Sequence, residues 1–224
     1  MQKRSLRAGR VVSRQRLKRD VVSVARDLLG CVLRRRLDDQ WVGGVIVETE
    51  AYLATGDAAS HSARGQTPGN RNMFAEAGTA YVYPIHAKHC FNVSAEASGV
   101  GAAVLIRALE PVWGLDTMRR LRGVEEVDRL TSGPGMLCQA MSIDRSMDGC
   151  DLCVIGEPSR QGLSLHAGVQ KSHFVVQSSP RIGISKAKAK RLRFFVDGNR
   201  FVSGTRKGHV LPKCHRFVDG DARV

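Results

Sequence analysis

Apolar residues near the start of the chain recur first at helical spacing and then in runs typical of strands. Asp20 is a favourable N-cap and Gly30 a favourable end for a helix between them. The apolar positions at helical spacing are Val21, Val24, Ala25, Leu28 and Leu29. Residues 31–37 and 41–50 form two β-rich runs on either side of Asp38-Asp39, which predicts a hairpin.

The remaining pattern predicts a mixed fold. Short apolar runs at residues 79–83, 90–94 and 103–109 indicate further strands. Pro111 predicts the start of a second helix that ends near residue 122, and residues 134–141 predict a third. Strands joined by short turns, with helices set apart, favour an α+β fold with a mostly antiparallel sheet.

Length and composition favour one domain. A chain of 224 residues with 42% hydrophobic content buries one substantial core, and neither a long polar linker nor an internal repeat divides it. We expect this domain over residues 19–217. Residues 1–18 are expected to form a basic, flexible arm, and residues 218–224 a short carboxy-terminal tail.

The net charge of +14 is concentrated at the two ends of the chain. Residues 1–20 hold eight Lys or Arg residues and one acidic residue, and residues 181–216 hold eleven and one. Such a field favours a nucleic acid or an anionic membrane surface as partner. No apolar segment resembles a signal peptide or reaches the roughly twenty residues of a membrane span. We therefore expect a soluble, intracellular protein of the cytoplasm or nucleoid, or of the nucleus in a eukaryote.

The six cysteines are too sparse for a disulfide scaffold, so we expect them to be reduced. One alternative stays open for three of them. Cys150 and Cys153, together with the distant Cys214-His215, have the donor types of a zinc site, although no second closely spaced pair exists. A metal-dependent hydrolase would be sensitive to chelators.

The end of the second hairpin strand carries an unusual set of polar groups. Glu48 and Glu50 follow the apolar run 45–47, with Tyr52 and His61 close behind in the sequence. Desolvation at the end of a buried strand raises the proton affinity of a carboxylate, which suits it to act as a general base. Solvated charges at a strand terminus are the simpler interpretation of the carboxylates alone.

Several motifs occurring in one order decide between these interpretations. They lie at residues 48–52, 57–61, 66–74, 81–83, 92, 105–111, 132–140, 180–184 and 191–194. Over residues 15–205 they closely resemble the alkyladenine (3-methyladenine) DNA glycosylase family. The resemblance implies a single compact α+β domain with a curved, mostly antiparallel sheet and flanking helices. It also implies a monomer without metal or cofactor, acting on double-stranded DNA that contains damaged purines.

The resemblance assigns roles to the polar and aromatic residues of these motifs. Glu50 matches the glutamate that activates water for hydrolysis, and Arg107 the arginine that helps to hold that water; Glu48 is expected to be structural. Tyr52 and Tyr83 match the tyrosines that sandwich the flipped base, although in isolation they would be core aromatics. The backbone carbonyl of Ala59 is expected near the water.

Two further residues are implied to select the base. His61 matches the position that hydrogen-bonds the substrate base, and Asn92 the one that rejects guanine through its 2-amino group. A lone histidine is more often structural, and an asparagine often ends a turn. Only the surrounding motifs favour the functional interpretation.

The main departure from the family lies at residues 84–90. His86 stands where the family has a tyrosine that enters the space left by the flipped base, and an imidazole is a smaller and more hydrophilic wedge. Lys88 is expected to compensate through a phosphate contact. Further expected DNA contacts are Thr67, Met73, Lys188 and Arg191.

These observations predict a monofunctional hydrolase that flips alkylated, and also deaminated or etheno, purines out of duplex DNA. It would cut the N-glycosidic bond with a Glu-activated water and leave an abasic site in base-excision repair. Alkylpurines are the safer substrate class because a cationic base is a good leaving group. The alternative is a basic DNA-binding module with affinity for damaged DNA and no catalysis.

Overall fold

A computed structural model of the protein describes residues 8–154, 162–168 and 173–204. One curled sheet of eight strands dominates it, and each strand pair is antiparallel. The strands are β1 (Val32–Leu37), β2 (Gln40–Tyr52), β3 (Ala80–Ile85), β4 (Lys88–Ser94), β5 (Ala103–Trp113), β6 (Leu163–His166), β7 (Val176–Ser179) and β8 (Arg193–Val196). Their order is β3-β4-β5-β2-β1-β6, and β8 pairs with both β2 and β7. The predicted α+β class and single domain are confirmed.

Short helices flank this sheet. They are α1 (Arg14–Leu17), α2 (Val21–Leu28), α3 (Leu115–Arg122) and α4 (Pro134–Ala140), with 3-10 turns at His61–Arg64, Arg71–Phe74, Val127–Arg129 and Arg145–Met147. Asp20 caps α2 by accepting a hydrogen bond from the Ser23 N–H at 2.8 Å, as predicted. None of the helices in the described ranges is long and apolar enough to cross a membrane.

The prediction that a helix begins at Pro111 is wrong. β5 continues through Pro111 to Trp113, and α3 begins only after Gly114, which has a φ of +69°. Pro111 pairs with Gly44 at a shift in the register between β2 and β5. A proline has no N–H for the ladder, so an irregular point of the sheet is where a strand tolerates it.

Part of the basic segment at the amino terminus packs on the domain, whereas the sequence predicted a flexible arm up to residue 18. The Gly9 N–H donates to the Ala167 carbonyl at 2.8 Å, and the Val12 N–H to Leu165 at 2.9 Å. Leu17 is buried in the main core. Two apolar side chains and a short bridge to β6 therefore hold residues 9–17, despite their charge.

β2 is the central strand of the fold. Its first half pairs with β1, its length pairs with β5, and Glu48 to Glu50 pair with β8. Two register shifts between β2 and β5 flank Glu48. Bulges of this kind bend a strand and redirect its side chains, so β2 places charged groups inside the curled sheet.

Candidate active site

A cleft of about 900 Å³ lies at the end of β2, β3 and β4. Its walls come from these strands, from loop residues 58–73 and from residues 183–186. The predicted residues that line it are Tyr52, Ala59, His61, Thr67, Met73, Tyr83 and Asn92. The structure thus brings together seven residues that lie up to forty positions apart in the sequence.

Glu48 occupies the centre of a buried ionic network. Its Oε1 accepts hydrogen bonds from Arg107 Nε at 2.9 Å and from Arg193 Nε at 2.6 Å. Ser203 donates its N–H to Oε2 at 2.6 Å and its hydroxyl to Oε1 at 2.9 Å. With both oxygens occupied, Glu48 fixes two guanidinium groups, which agrees with the structural role expected of it.

Glu50 lies two residues further along β2 and is also fully buried. Its Oε1 is 3.2 Å from Arg107 Nη1 and accepts the Ile182 N–H at 2.8 Å. Its Oε2 accepts the Tyr52 hydroxyl at 2.9 Å. Glu50 is therefore placed directly behind a tyrosine that lines the cleft.

The environment of Glu50 favours a carboxylate that binds a proton more readily than usual. Burial raises its pKa, and neighbouring Glu48 adds to that effect. The charge of Arg107 and the hydrogen bonds from Ile182 and Tyr52 oppose the increase but do not cancel it. Such a group can hold a proton that it takes from water.

Aromatic side chains form the walls of the cleft. The rings of His61 and Tyr83 meet edge to face with centroids 4.6 Å apart, and those of Tyr81 and Tyr83 are 5.5 Å apart. Burial raises the pKa of Tyr81 to about 12 and that of Tyr52 further. These tyrosines therefore stay neutral and offer apolar faces with hydroxyl groups at their edges.

His61 is held by a tyrosine at the open side of the cleft. Its Nδ1 lies 2.7 Å from the Tyr81 hydroxyl. Partial desolvation of the ring beside Tyr81 and Tyr83, followed by the charge of Arg64, lowers the pKa of His61, although the residue stays exposed to solvent. The imidazole is therefore neutral near pH 7 and can offer a hydrogen bond without a charge.

Asn92 is buried on β4, and its side-chain amide donates to the Tyr81 carbonyl at 3.0 Å. Met73 was expected to contact DNA, but it is only 2% exposed and packs with Tyr81 and Ala103. A buried thioether in the wall of the cleft supports the neighbouring Tyr81 side chain. The sequence motif gave no indication of that burial.

The turn between β3 and β4 carries the departure from the family pattern. His86 and Ala87 have φ values of +43° and +59°, which fits a two-residue turn with both central residues left-handed. His86 and Lys88 are exposed, and the Lys88 chain lies over Gly135 at the start of α4. Ile85, just before the turn, lines the cleft and is 42% exposed.

Lys188 and Arg191, the other expected DNA contacts, are exposed in the segment before β8 and do not line the cleft. Tyr81 and Arg64 are among the lining residues that had no predicted role, and Lys186, which was expected to contact phosphates with the basic segment around it, also lines the cleft. The alternation of Tyr81 with Tyr83 was a usable signal, since residues two apart on a strand share a face. Arg64 ends a 3-10 turn and Lys186 lies in a loop, so neither gave a periodic signal.

The zinc alternative has no support in the described residues. Cys150 and Cys153 are free thiols. No group of three or more Cys, His, Asp or Glu side chains suited to a metal occurs in residues 8–154, 162–168 and 173–204. Cys214 lies outside the described residues.

Comparisons with known proteins agree with this geometry. A family model described as methylpurine-DNA glycosylase matches residues 15–200. A protein of Rhodopirellula baltica that bears a 3-methyladenine DNA glycosylase name is 53% identical, covering 85% of this chain and 82% of its own. A similarly named protein of Mesorhizobium japonicum is 49% identical, covering 87% and 91%. The DNA-3-methyladenine glycosylase of Mus musculus is 47% identical over 81% of this chain and 58% of its own.

Proposed function

Because this chain belongs to the methylpurine-DNA glycosylase family, we propose that it removes damaged purines from DNA by hydrolysing their N-glycosyl bonds. The observation that carries the proposal is the placement of Glu50. It is a fully buried carboxylate, paired with Arg107 and hydrogen-bonded to a tyrosine that lines a cleft. A base that activates water needs such a site beside a pocket for the substrate.

The first step is extrusion of the damaged nucleotide from the duplex. A stacked base hides its glycosidic carbon, so flipping is needed and costs a few kcal/mol. The cleft volume of about 900 Å³ accommodates a purine and its sugar. Tyr52 and Tyr83 hold the base between their faces, and stacking returns about 1–3 kcal/mol.

The chemical step breaks the bond between the base and C1′. Positive charge develops on the sugar as the bond breaks, as in other glycoside hydrolysis. Glu50 orients a water molecule and takes its proton, while Arg107 and the Ala59 carbonyl position the water. The oxygen of the water then bonds to C1′, the bonding pair leaves with the purine, and an abasic site remains.

His61 and Asn92 select the base. A neutral His61 hydrogen-bonds the purine edge, and its contact with Tyr81 fixes the ring. Asn92, fixed by the Tyr81 carbonyl, opposes the 2-amino group of guanine; 7-methylguanine keeps this group, but its cationic base leaves far more readily than guanine. Rejection by a clashing or unpaired polar group gives selectivity at little cost in binding energy.

Alkylated purines are the proposed main substrates. A base methylated at N3 or N7 is cationic and leaves without a proton from the enzyme, whereas hypoxanthine or ethenoadenine needs protonation or tighter contacts. The enzyme is proposed to be monofunctional. A lysine nucleophile is activated by desolvation, and Lys186, which lines the cleft, is solvent-exposed.

Contacts with duplex DNA come from exposed residues at the edge of the cleft or outside its lining, called the rim below: Thr67, Lys88, Lys188 and Arg191. Lys188 and Arg191 neutralise phosphates of the DNA. Thr67 contacts the DNA strand near the cleft. Lys88 holds the β3–β4 turn against the DNA by contacting a phosphate. His86 and the adjacent Ile85 enter the space left by the flipped base; apolar side chains commonly serve as such wedges. The protein acts as a monomer on double-stranded DNA, in the cytoplasm and nucleoid or in a nucleus.

Single-turnover release of free base tests the proposal. A duplex with one 7-methylguanine is incubated with excess wild type or Glu50→Gln, both with and without chelator. We expect Glu50→Gln to slow release by about 10²–10⁴-fold while binding of the duplex is kept. Tight binding without release by the wild type would favour the non-catalytic DNA-binding module. Release that is lost only when chelator is added would favour a metal-dependent hydrolase.

A further inference from the structure

A buried ion pair anchors the backbone N–H that Glu50 accepts. This N–H belongs to Ile182, and the preceding residue, Arg181, has no exposed side-chain surface. Arg181 Nη1 and Nη2 each donate to one oxygen of Asp57 at 2.6 Å. A fork of this kind fixes the guanidinium in orientation as well as in distance. The chain is therefore held in place at Arg181, one residue before the Ile182 N–H that donates to Glu50.

Arg181 also reaches the strand that carries Glu50. Its Nη1 donates to the Ala51 carbonyl at 3.0 Å, and its guanidinium carbon lies 4.5 Å from the centre of the Tyr52 ring. Ala51 and Tyr52 directly follow Glu50 on β2. One side chain therefore contacts the backbone and the aromatic neighbour of Glu50 at the same time.

Asp57 ties the same point to the loop that lines the cleft. Besides Arg181, it accepts the N–H groups of Leu53 and Ala59, each at 3.2 Å. Burial alone would raise the pKa of Asp57, but the hydrogen bonds and charge of Arg181 outweigh it and hold this pKa below its usual range. The fork is therefore intact across the pH range in which the enzyme would be assayed.

We propose that Arg181 is a positioning residue for the hydrolysis, which pairs with Asp57 to hold the Ile182 N–H on Glu50 and the Tyr52 ring against the cleft. This inference rests on the proposed function of Glu50 as the base. Arg181 does not touch the reacting atoms. Its effect passes through the N–H of its neighbour and through the tyrosine.

The electrostatic surroundings of Glu50 set the sign of the expected effect. Within the described residues, the groups that face it are Arg107 on β5, Glu48 and Tyr52 on β2, Cys90 on β4 and the Ile182 N–H. Burial and Glu48 raise the pKa of Glu50; Arg107, Ile182 and Tyr52 lower it. A displaced Ile182 N–H removes one of the lowering contacts, so Glu50 would hold its proton to higher pH.

Arg181→Lys is the variant that tests this positioning. A lysine keeps the positive charge but lacks the fork, so it cannot serve both oxygens of Asp57 and the Ala51 carbonyl in the same way. The measurement is the single-turnover rate of 7-methylguanine release as a function of pH. The acid limb is the part of this profile in which the rate falls as the pH is lowered. We expect the acid limb of Arg181→Lys to lie about one pH unit higher than that of the wild type, so that at a pH on both limbs its release is about tenfold slower.

Arg14→Lys is the matched control. Arg14 also bonds a carboxylate, Asp151 at 2.5 Å, and a carbonyl, Ala77 at 2.6 Å, but it lies on α1 and does not line the cleft. We expect its pH profile to match the wild type. Asp57→Asn, which keeps the shape of the carboxylate, should repeat the shift and replaces Arg181→Lys if that variant does not fold.

The outcomes separate this inference from the proposed function. An acid limb that depends on Glu50 in the wild type, but does not move in folded Arg181→Lys, overturns the positioning role alone. Equal rates for wild type and Glu50→Gln overturn the proposed role of Glu50 itself. A shift of the limb in Arg14→Lys as large as in Arg181→Lys would also overturn the inference, because the loss of arginine contacts far from Glu50 would then suffice.

Discussion

The buried ionic network behind the wall of the cleft, called its inner end, and the exposed rim are built on opposite principles. At the inner end, Glu48 and Glu50 are fully buried, and the Arg107 and Arg193 side chains are 7% exposed. At the rim, the charged residues expected to contact DNA are exposed. Hydrolysis needs groups that are held before the substrate arrives, whereas contact with a phosphate backbone needs reach and tolerates small errors in position.

The difference also appears in what each region contributes to stability. Two carboxylates and two guanidinium groups at the inner end compensate one another away from water, so each depends on its partners. An exposed lysine at the rim already has water as a partner. Substitutions should therefore have large effects on both folding and catalysis at the inner end, and small effects on binding alone at the rim.

The largest contrast should be seen in stability. Glu48→Ala leaves Arg107 and Arg193 buried with one carboxylate fewer, and we expect it to lower the free energy of unfolding by about 3–5 kcal/mol. Lys188→Ala should change it by no more than about 0.5 kcal/mol. Urea denaturation of both variants measures this. A loss below about 1 kcal/mol for Glu48→Ala would mean that water screens the network.

The pH dependence of base release by the wild type should report the ionisation of Glu50 at the inner end. As the proposed base, Glu50 must be ionised to take a proton from water, and its pKa is raised. Release of 7-methylguanine should therefore be constant above that pKa and fall about tenfold for each pH unit below it. A single-turnover series from roughly pH 5 to 8 checks the sign, because this lesion is cationic without protonation. A rate that increases toward acid would point to an acid catalyst instead.

At the border of the two regions, the turn after β3 should show an intermediate effect. Ile85 is apolar, exposed and part of the cleft lining. Ile85→Ala should make the free energy of base flipping less favourable by about 1–2 kcal/mol and so reduce the flipped population. His86→Ala should have the smaller effect. Fluorescence of a base analogue opposite the lesion measures both. Equal flipped populations for wild type and His86→Ala would exclude His86 as wedge and leave Ile85.

The smallest effects should come from the rim. Lys188→Ala and Arg191→Ala should each reduce the slope of log affinity against log salt by about 0.9, the value for one phosphate. The rate of base release from the bound complex should not change. A slope equal to that of the wild type would remove the residue from the DNA interface.

Local patterns predicted most of the fold, while contacts distant in sequence escaped prediction. The cap at Asp20 and the β1–β2 hairpin depend on neighbouring residues and are confirmed. Pro111 also looked like a local signal, but its strand was decided by pairing with Gly44 on β2. Propensity yields to tertiary pairing at such points.

The candidate site divides in the same way. The order of the motifs indicated the residues that face the cleft, because each of these residues can be matched to the family from its own short motif, without knowledge of its contacts. The pairing of Arg193 with Glu48 joins residues 145 positions apart, and that of Arg181 with Asp57 joins residues 124 apart. A sequence contains no distance information of that kind. It also gave no sign that Met73, which lines the cleft, is only 2% exposed.

The position of β2 has a consequence for how the protein is made. Its last residues acquire their partners Ile182, Arg193 and Ser203 only when the end of the described chain has been synthesised and β8 has docked. Until then Glu48 and Glu50 lack these partners, and the cleft lacks residues 183–186 from its wall. A nascent or truncated chain that carries only the first half of the residues would therefore lack the finished site.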